Sequence, residues 1–303
     1  MKTFMMQPLH GSFVALVTPM TSDGSLDFKA LEALVEWHIE SGTNGIVSVG
    51  TTGESTTLTV KEHLKVIEST VNFVNGRIPV IAGTGSNSTI QAIETTSESK
   101  KLGADYCLLV TPYYNKPNQE GLIQHYMKIA DAVDIPQILY NVPSRTACDI
   151  KPETVLRLAN HQNIIGIKEA LDNSERLTEL ISISQSIIDQ KHFSVLSGDD
   201  SSFNSFMANG GDGVISVAAN IIPNQISEIC SLNLAKKFDD AKELNSIFKN
   251  LYELLLIESN PIPVKWILYK MGRIQSGIRL PLIPFKKDFH EKTINEMVKL
   301  NLI

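Results

Sequence analysis

The segment Ile164-Ile165-Gly166-Ile167, which leads directly into Lys168 and Glu169, shows the pattern that decides the fold. It is a short, uninterrupted apolar run, which is typical of a strand buried on both faces of a parallel sheet. Seven further runs of this kind lie at residues 13–17, 45–49, 79–82, 106–110, 136–140, 194–196 and 213–217. Most follow one another at intervals of about 30 residues, which predicts a repeated strand-helix unit.

Helix signals lie between these runs. Thr59 is followed three residues later by Glu62, and Ser88 by Gln91, and both pairs predict capping boxes at helix starts. Eight strands that alternate with helices form either a closed parallel barrel or a doubly wound open sheet. The nearly even spacing favours the first, so the predicted fold class is α/β, a (β/α)8 TIM barrel.

The last quarter of the chain differs from the rest. After about Ile226 the pattern is helical, and no strand-like run returns. We therefore expect a catalytic barrel over residues 1–226 and a small C-terminal helical region over residues 227–303.

Composition excludes several classes of protein. The chain has 303 residues, 43% of them hydrophobic and 20% charged, with a net charge of −6. This is an ordinary globular composition, and an acidic chain is a poor partner for nucleic acid. The longest apolar runs, such as Leu254–Ile257, are too short to span a membrane.

Cysteine and histidine usage predicts the compartment and the metal content. The three cysteines are scattered, and the seven histidines show no spacing typical of metal ligands. The residues after Lys2 form no apolar signal segment. We expect a cytoplasmic protein with free thiols, no metal and no cofactor.

Chemistry in such a barrel lies at the carboxyl ends of the strands. Lys168 closes a buried apolar run, where an ammonium group is costly unless it is paired or neutral. A neutral lysine is a nucleophile that forms Schiff bases with carbonyl substrates. Tyr140 ends the preceding run and could transfer protons there. Two alternatives are a Lys168 that is solvated or paired with Glu169, and a Tyr140 that is an ordinary half-buried aromatic.

Other strand ends carry polar groups suited to small anions. Residues 50–55 form a turn of glycines and hydroxyls whose backbone N–H groups could hold a carboxylate. Arg145 could bind an anion in a bidentate manner, or it could be a solvated side chain. We interpret Asp199 and Asp200 as N-capping residues of a helix over residues 201–208.

Together these residues resemble the dihydrodipicolinate synthase family. The similarity runs from about Gly11 to Ile303. It is carried by residues 50–55 (GTTGES), 113–114 (YY), 140–146 (YNVPSRT), 168–170 (KEA), 197–200 (SGDD), 213–216 (GVIS) and 260–265 (NPIPVK). The resemblance implies a class I aldolase-type enzyme on a (β/α)8 barrel. Its activity would be the condensation of pyruvate with L-aspartate 4-semialdehyde, the first committed step of diaminopimelate and lysine biosynthesis.

The resemblance also implies roles for single residues. Lys168 corresponds to the Schiff-base lysine and Tyr140 to the proton donor and acceptor. Thr51 corresponds to a hydroxyl that links two tyrosines in a proton relay. Tyr114 corresponds to the second tyrosine, which reaches into the site of a neighbouring subunit. A homotetramer built from two tight dimers is therefore implied.

Substrate contacts follow from the same comparison. Thr52 and Ile215 correspond to pyruvate-binding positions, and Gly198 lines the same pocket. Arg145 corresponds to the arginine that holds the carboxylate of the semialdehyde.

A lysine effector site is common in the family. The corresponding positions are Ser55, Thr56, His63, Asn87, Gln91 and Tyr113. Two residues depart from the lysine-sensitive pattern, which commonly has histidine at the position of Val60 and glutamate at that of Gln91. Without the glutamate charge we expect weak or absent inhibition by lysine.

Three other functions compete with the synthase. An N-acetylneuraminate lyase or a 2-keto-3-deoxy sugar-acid aldolase would use the same lysine and tyrosine, although Arg145 and Thr52 favour the synthase. A barrel without activity could serve as a scaffold, but every expected catalytic position is filled. A phosphate-binding barrel enzyme is disfavoured because Asp199 and Asp200 would repel phosphate after the seventh strand.

Overall fold

The computed structural model describes residues 8–188 and 191–303. Its eight strands are parallel and close into a barrel in the order in which they occur in the chain, so the predicted TIM barrel is confirmed. Each strand begins and ends within two residues of its predicted run. The strands are β1 (Gly11–Ala15), β2 (Gly45–Ser48), β3 (Val80–Gly83), β4 (Tyr106–Val110), β5 (Gln137–Asn141), β6 (Ile164–Glu169), β7 (Ser194–Ser197) and β8 (Gly213–Ser216).

Helices follow the strands around the outside of the barrel and continue beyond it. They are α1 (Phe28–Glu40), α2 (Val60–Val74), α3 (Thr89–Lys101), α4 (Gln119–Ala132), α5 (Pro143–Thr146), α6 (Pro152–Ala159), α7 (Ser174–Ser186), α8 (Phe203–Ala208), α9 (Pro223–Leu234), α10 (Phe238–Ser246), α11 (Lys249–Leu255), α12 (Ile262–Lys270) and α13 (His290–Lys299).

The two predicted capping boxes differ in the structure. At α2 the Thr59 side chain accepts from the backbone N–H of Glu62, and the Glu62 side chain accepts from the N–H of Thr59. At α3 only the first half is present, because the Gln91 side chain accepts from the hydroxyl of Ser86 instead of reaching back to Ser88. Ser88 does cap the helix, but the predicted capping box is wrong in its second hydrogen bond, the one from the Ser88 backbone N–H to the Gln91 side chain.

The barrel interior is filled by side chains from all eight strands, which makes it a packed core. Its buried members include Phe13, Val47, Leu108 and Leu196. Gly45 lies beside Phe13, where a Cβ atom would come within 2.7 Å of the ring. The wall at this point therefore needs a glycine to leave room for the aromatic side chain.

The C-terminal helices share a core with the barrel. The predicted division between residues 226 and 227 falls inside α9, whose Ile226 and Ile229 are fully buried. Both belong to one apolar cluster that also contains Val14 of β1 and Val264 of α12. Burial of this common surface fixes the C-terminal helices against the barrel.

Two further findings concern the described residues alone. None of their helices is both long and apolar enough to cross a membrane. No group of three or more histidine, cysteine or acidic side chains among them is arranged to hold a metal ion. The absence of a signal segment was inferred partly from Lys2, which lies outside the described residues.

Candidate active site

Lys168 and Tyr140 are brought together by the pairing of β5 with β6. They are direct partners in the parallel register, and the Lys168 Nζ lies 4.4 Å from the centroid of the Tyr140 ring. Both side chains are buried. Since side chains alternate along a strand, both point into the barrel while their successors point outward. The predicted nucleophile and proton-transfer group therefore lie side by side at the carboxyl ends of their strands.

Glu169 does not pair with Lys168, so that alternative is wrong. The Glu169 carboxylate lies on the outer face of the barrel, where it accepts from Arg176 Nε at 2.6 Å and from Asn141 Nδ2 at 3.1 Å. Asn141 is the direct register partner of Glu169. Burial raises the pKa of the Glu169 carboxyl, and the neighbouring Arg176 opposes that rise. This outer cluster fixes the same strand ends that carry Tyr140 and Lys168 inside.

A cavity of about 190 Å³ opens above these two residues. We call it the smaller cavity. The predicted site residues that line it come from the ends of four strands, β2, β5, β6 and β7, and are Thr51, Thr52, Tyr140, Arg145, Lys168 and Gly198. Its volume suits a small organic acid, and its walls supply hydroxyls, the Lys168 amino group, the Arg145 guanidinium and the Asp199 carboxylate.

Gly198 lies against the stem of the lysine. A Cβ atom at this position would lie 2.8 Å from Lys168 Cε and 3.0 Å from Ala170 Cβ. The absence of a side chain therefore leaves the space that Lys168 occupies.

The turn over residues 50–55 is tied to the C-terminal region by a buried ion pair. Glu54 binds Lys265 of α12, and both side chains are almost fully buried. Arg279 donates its backbone N–H to Glu54 at 3.3 Å and pairs with Glu62 at 2.6 Å. Because a buried ion pair is unfavourable unless its geometry is well satisfied, these contacts restrict the turn that presents Thr51.

A second connection reaches the neighbouring hydroxyl. Asn260 Nδ2 donates to Thr52 Oγ1 at 2.9 Å. Asn260 lines the smaller cavity and also a larger adjoining one. From the sequence, no role was assigned to Asn260 or Lys265. The presence of these two polar residues in the short segment 260–265 was the feature that could have pointed to them. More than 200 positions separate Asn260 from Thr52, so only the fold connects them.

The larger cavity has a volume of about 450 Å³. Five of the six predicted effector residues line it, namely Ser55, Thr56, His63, Gln91 and Tyr113. Asn87 is not among the lining residues. Its Nδ2 instead donates to the carbonyl of Tyr113 at 3.2 Å.

Two side chains that line the larger cavity, His63 and Gln91, carry little or no charge. Burial lowers the pKa of His63, whose Nε2 lies 2.9 Å from the carbonyl oxygen of Gly83. Gln91 is neutral and accepts from Ser86. Val60 contributes an exposed apolar side chain to the same wall.

Two predicted residues lie away from the smaller cavity. Tyr114 has 90% of its surface exposed and lines neither cavity. Ile215 of β8 is fully buried in the barrel core and pairs in register with Phe13. This chain alone therefore assembles six of the eight predicted catalytic and substrate-binding residues around one cavity.

The prediction for the acidic pair after β7 is half wrong. Asp199 accepts from the backbone N–H of Ser202 at 2.9 Å, at the entry to α8. Asp200 instead accepts from Ser216 and from the N–H groups of Val217 and Ala218 after β8. Burial raises the pKa of Asp200. The second aspartate joins two strand ends because the barrel brings β7 and β8 together.

Comparisons with known proteins agree with this geometry. The chain matches the model of the dihydrodipicolinate synthetase family over residues 8–300. It is 53% identical over 294 residues to the 4-hydroxy-tetrahydrodipicolinate synthase of Teredinibacter turnerae, which covers 97% of this chain and 99% of that protein. It is 50% identical to the enzyme of the same name from Saccharophagus degradans, over 97% of this chain and all of the other.

Solved structures give the same result. The crystal structure of chloride-inhibited dihydrodipicolinate synthase from Acinetobacter baumannii with pyruvate has a TM-score of 0.93 and 52% identity, and the match covers 97% of this chain and 99% of that one. The lysine-bound enzyme of Cyanidioschyzon merolae has a TM-score of 0.92 and 35% identity, over 98% of this chain and all of the other. The resemblance found in the sequence is thus confirmed, and the sugar-acid lyases are not favoured. The chain belongs to the dihydrodipicolinate synthetase family.

Proposed function

We propose that this chain condenses pyruvate with L-aspartate 4-semialdehyde to give 4-hydroxy-tetrahydrodipicolinate, acting as a lyase in diaminopimelate and lysine biosynthesis. The observation that carries the proposal is the lysine-tyrosine pair in a small cavity whose walls include hydroxyl groups. The names of the relatives support the same reaction.

The first half of the reaction uses Lys168 and Tyr140. The neutral Lys168 amine attacks C2 of pyruvate, and the carbinolamine that forms loses water to give an imine. Tyr140 transfers the protons that this step requires, and Thr51 together with Tyr114 from a second copy of the chain completes the relay. The cationic imine acts as an electron sink, so the pyruvate methyl group loses a proton and becomes an enamine.

The second half joins the two substrates. The enamine carbon attacks the aldehyde carbon of the semialdehyde, and the new alkoxide takes up a proton. The amino group of the second substrate then attacks the imine carbon, closes the ring and displaces Lys168. Atoms and charges balance without an external oxidant, metal or cofactor.

Each substrate carries a carboxylate, and the cavity offers separate groups for the two. Thr52 and the backbone of residues 50–55 face the pyruvate carboxylate, Gly198 shapes the pocket, and Ile215 supports the site from the barrel core. Arg145 is exposed beside the cavity. Its position supports binding of the semialdehyde carboxylate by a guanidinium fork.

The exposed Tyr114 supports a site completed by a second copy of the chain. A largely exposed tyrosine that lines neither cavity of its own chain is consistent with a role in the neighbouring subunit. We therefore include a homotetramer of two tight dimers in the proposal. A cytoplasmic location is also included, and three free, buried cysteines support it.

We also assign the larger cavity as the effector site, with Ser55, Thr56, His63, Asn87, Gln91 and Tyr113 around it. The neutral side chain of Gln91 supports weak or absent binding of lysine, because no carboxylate at that position would meet the ammonium group.

A coupled assay tests the proposed reaction. Pyruvate and the semialdehyde are supplied together with a downstream reductase that oxidises a nicotinamide cofactor. We expect turnover that depends on the semialdehyde and is lost in Lys168→Ala. N-acetylneuraminate and a 2-keto-3-deoxy sugar acid are offered to the same preparation, and their cleavage without semialdehyde turnover would contradict the proposal. Trapping with borohydride and pyruvate is the second readout. An adduct on Lys168 is expected for the synthase and for the sugar-acid lyases, whereas a scaffold without activity would give none.

A further inference from the structure

We infer that Asn260 is a positioning residue that makes the Thr52 hydroxyl a hydrogen-bond donor toward the pyruvate carboxylate. The inference rests on the proposed function. It adds a residue from the C-terminal region to a site otherwise built by the ends of the barrel strands.

The polarity of the contact carries the argument. A threonine hydroxyl has one hydrogen to donate, and its oxygen accepts from others. Asn260 Nδ2 lies 2.9 Å from Thr52 Oγ1, and this NH2 group can only donate. The Thr52 oxygen therefore accepts from Asn260, and its own hydrogen remains available for another acceptor.

The surroundings of Thr52 indicate where that hydrogen points. Both Thr52 and Asn260 line the smaller cavity, which also contains the Lys168 amine. Thr52 is almost fully buried, so bulk water does not compete freely for its hydroxyl. A carboxylate accepts hydrogen bonds only, and a bond from a hydroxyl to an ionised acceptor is stronger than a neutral one. The pair thus presents a fixed donor to a small anion beside the nucleophile.

Asn260 is itself held in place. It precedes α12, and Lys265 of that helix forms the buried ion pair with Glu54, two residues after Thr52. Asn260 Oδ1 is buried and accepts no hydrogen bond from the described residues, so the amide is attached through its Nδ2 group. The C-terminal region therefore sets the hydrogen-bond direction inside the barrel.

The test reverses this polarity with almost no change in shape. In Asn260→Asp the carboxylate accepts from Thr52, which removes the donor from pyruvate. Asn260→Ala removes the partner but leaves the hydroxyl free to turn toward the ligand. The readout is the pyruvate concentration that gives half-maximal borohydride trapping on Lys168, measured without the second substrate.

We expect about a ten- to hundredfold rise in this concentration for Asn260→Asp and only about a threefold rise for Asn260→Ala. Ser259→Asp is the matched control, because it adds the same charge one residue earlier. Ser259 is exposed and lines the larger cavity, not the smaller one to which we assign pyruvate. The control should bind pyruvate as the wild type does.

A double-variant cycle separates an effect through Thr52 from simple charge repulsion. In a Thr52→Val background, Asn260→Asp should raise the half-saturating concentration far less than in the wild type. An equal rise in both backgrounds, or equal effects of the Asp and Ala variants at Asn260, would overturn the inference while leaving the proposed function intact. A wild-type protein that gives no pyruvate adduct at all would overturn both.

Discussion

Tyr140 and Lys168 occupy directly opposed positions on β5 and β6, and the lysine Nζ lies 4.4 Å from the centre of the tyrosine ring. One residue further along the same strands, Asn141 and Glu169 are also direct partners, but on the outer face. The lysine-tyrosine pair inside and the polar cluster outside are thus fixed by one strand register. A shift of that register by one residue would exchange the two faces.

Gly198→Ala should lower turnover without unfolding the protein. The added methyl group would lie 2.8 Å from Lys168 Cε, so the amine must move from its place above the tyrosine. A displacement of about 1 Å is enough to reduce kcat by about tenfold or more. Steady-state kinetics of the variant provide the measurement.

The control for this substitution is Gly121→Ala at the start of α4, where the nearest atoms lie at 3.3 Å and belong to Asn118 and Pro117. This variant should retain wild-type kcat. Full activity of Gly198→Ala would show that the lysine position is not set by the glycine.

Glu169→Gln should destabilise the protein and reduce its activity together. Arg176 is largely buried, and removal of the carboxylate leaves Asp149, at 3.1 Å, as its one acidic partner among the described residues. Loss of one member of a buried pair costs about 3 kcal/mol in the free energy of unfolding. Urea denaturation and kcat are measured on the same preparation.

The double variant Glu169→Gln with Arg176→Met provides the comparison. It removes both charges, so its free energy of unfolding should lie closer to that of the wild type than that of Glu169→Gln does. If the double variant loses as much free energy of unfolding as the two single substitutions together, the cluster does not act as a unit.

His38 should make stability depend on pH. Burial, with a smaller contribution from Arg273, lowers the pKa of His38 from 6.5 to about 3. The unfolded chain therefore binds a proton below pH 6.5 that the folded chain does not bind, so stability falls as the pH decreases from 6.5 toward 3. Between pH 6.5 and 5 this single group should cost about 2 kcal/mol.

His38→Gln tests that assignment. Unfolding by urea is followed at pH 6.5 and pH 5 at one protein concentration. The variant should be less stable at pH 6.5, since it loses the contact of the ring with Thr43 at 3.1 Å, but its stability should decrease less on acidification. Equal decreases in the two proteins would refute the role of His38.

Lysine should inhibit the enzyme weakly or not at all. Gln91 is neutral, and loss of a charged partner for the effector ammonium weakens binding by about 1–3 kcal/mol. The initial rate is measured while lysine is titrated, and half-inhibition below about 1 mM would contradict the expectation. Gln91→Glu should increase sensitivity to lysine by tenfold or more, with Gln124→Glu on the surface of α4 as the matched control.

The sequence by itself determined the barrel and which side chains stand at the ends of its strands. Eight apolar runs that must be buried on both faces predict a parallel sheet covered by helices, and their nearly even spacing favoured the closed barrel over the doubly wound open sheet. The lysine that closes one run and the tyrosine that ends another follow from that periodicity. The resemblance carried by segments such as 140–146 and 168–170 then supplied the reaction.

Only the tertiary structure decided which polar groups contact one another. The partners of Glu54, Thr52 and Asp200 lie in distant or unexpected segments, since hydrogen bonds and ion pairs depend on where strand ends and helices meet in space. The outward direction of Glu169 required the register of β6, and the attachment of the C-terminal helices required the shared apolar core. Periodicity encodes burial, which is a local property of the chain, whereas the pairing of polar groups is set by packing between segments far apart in sequence.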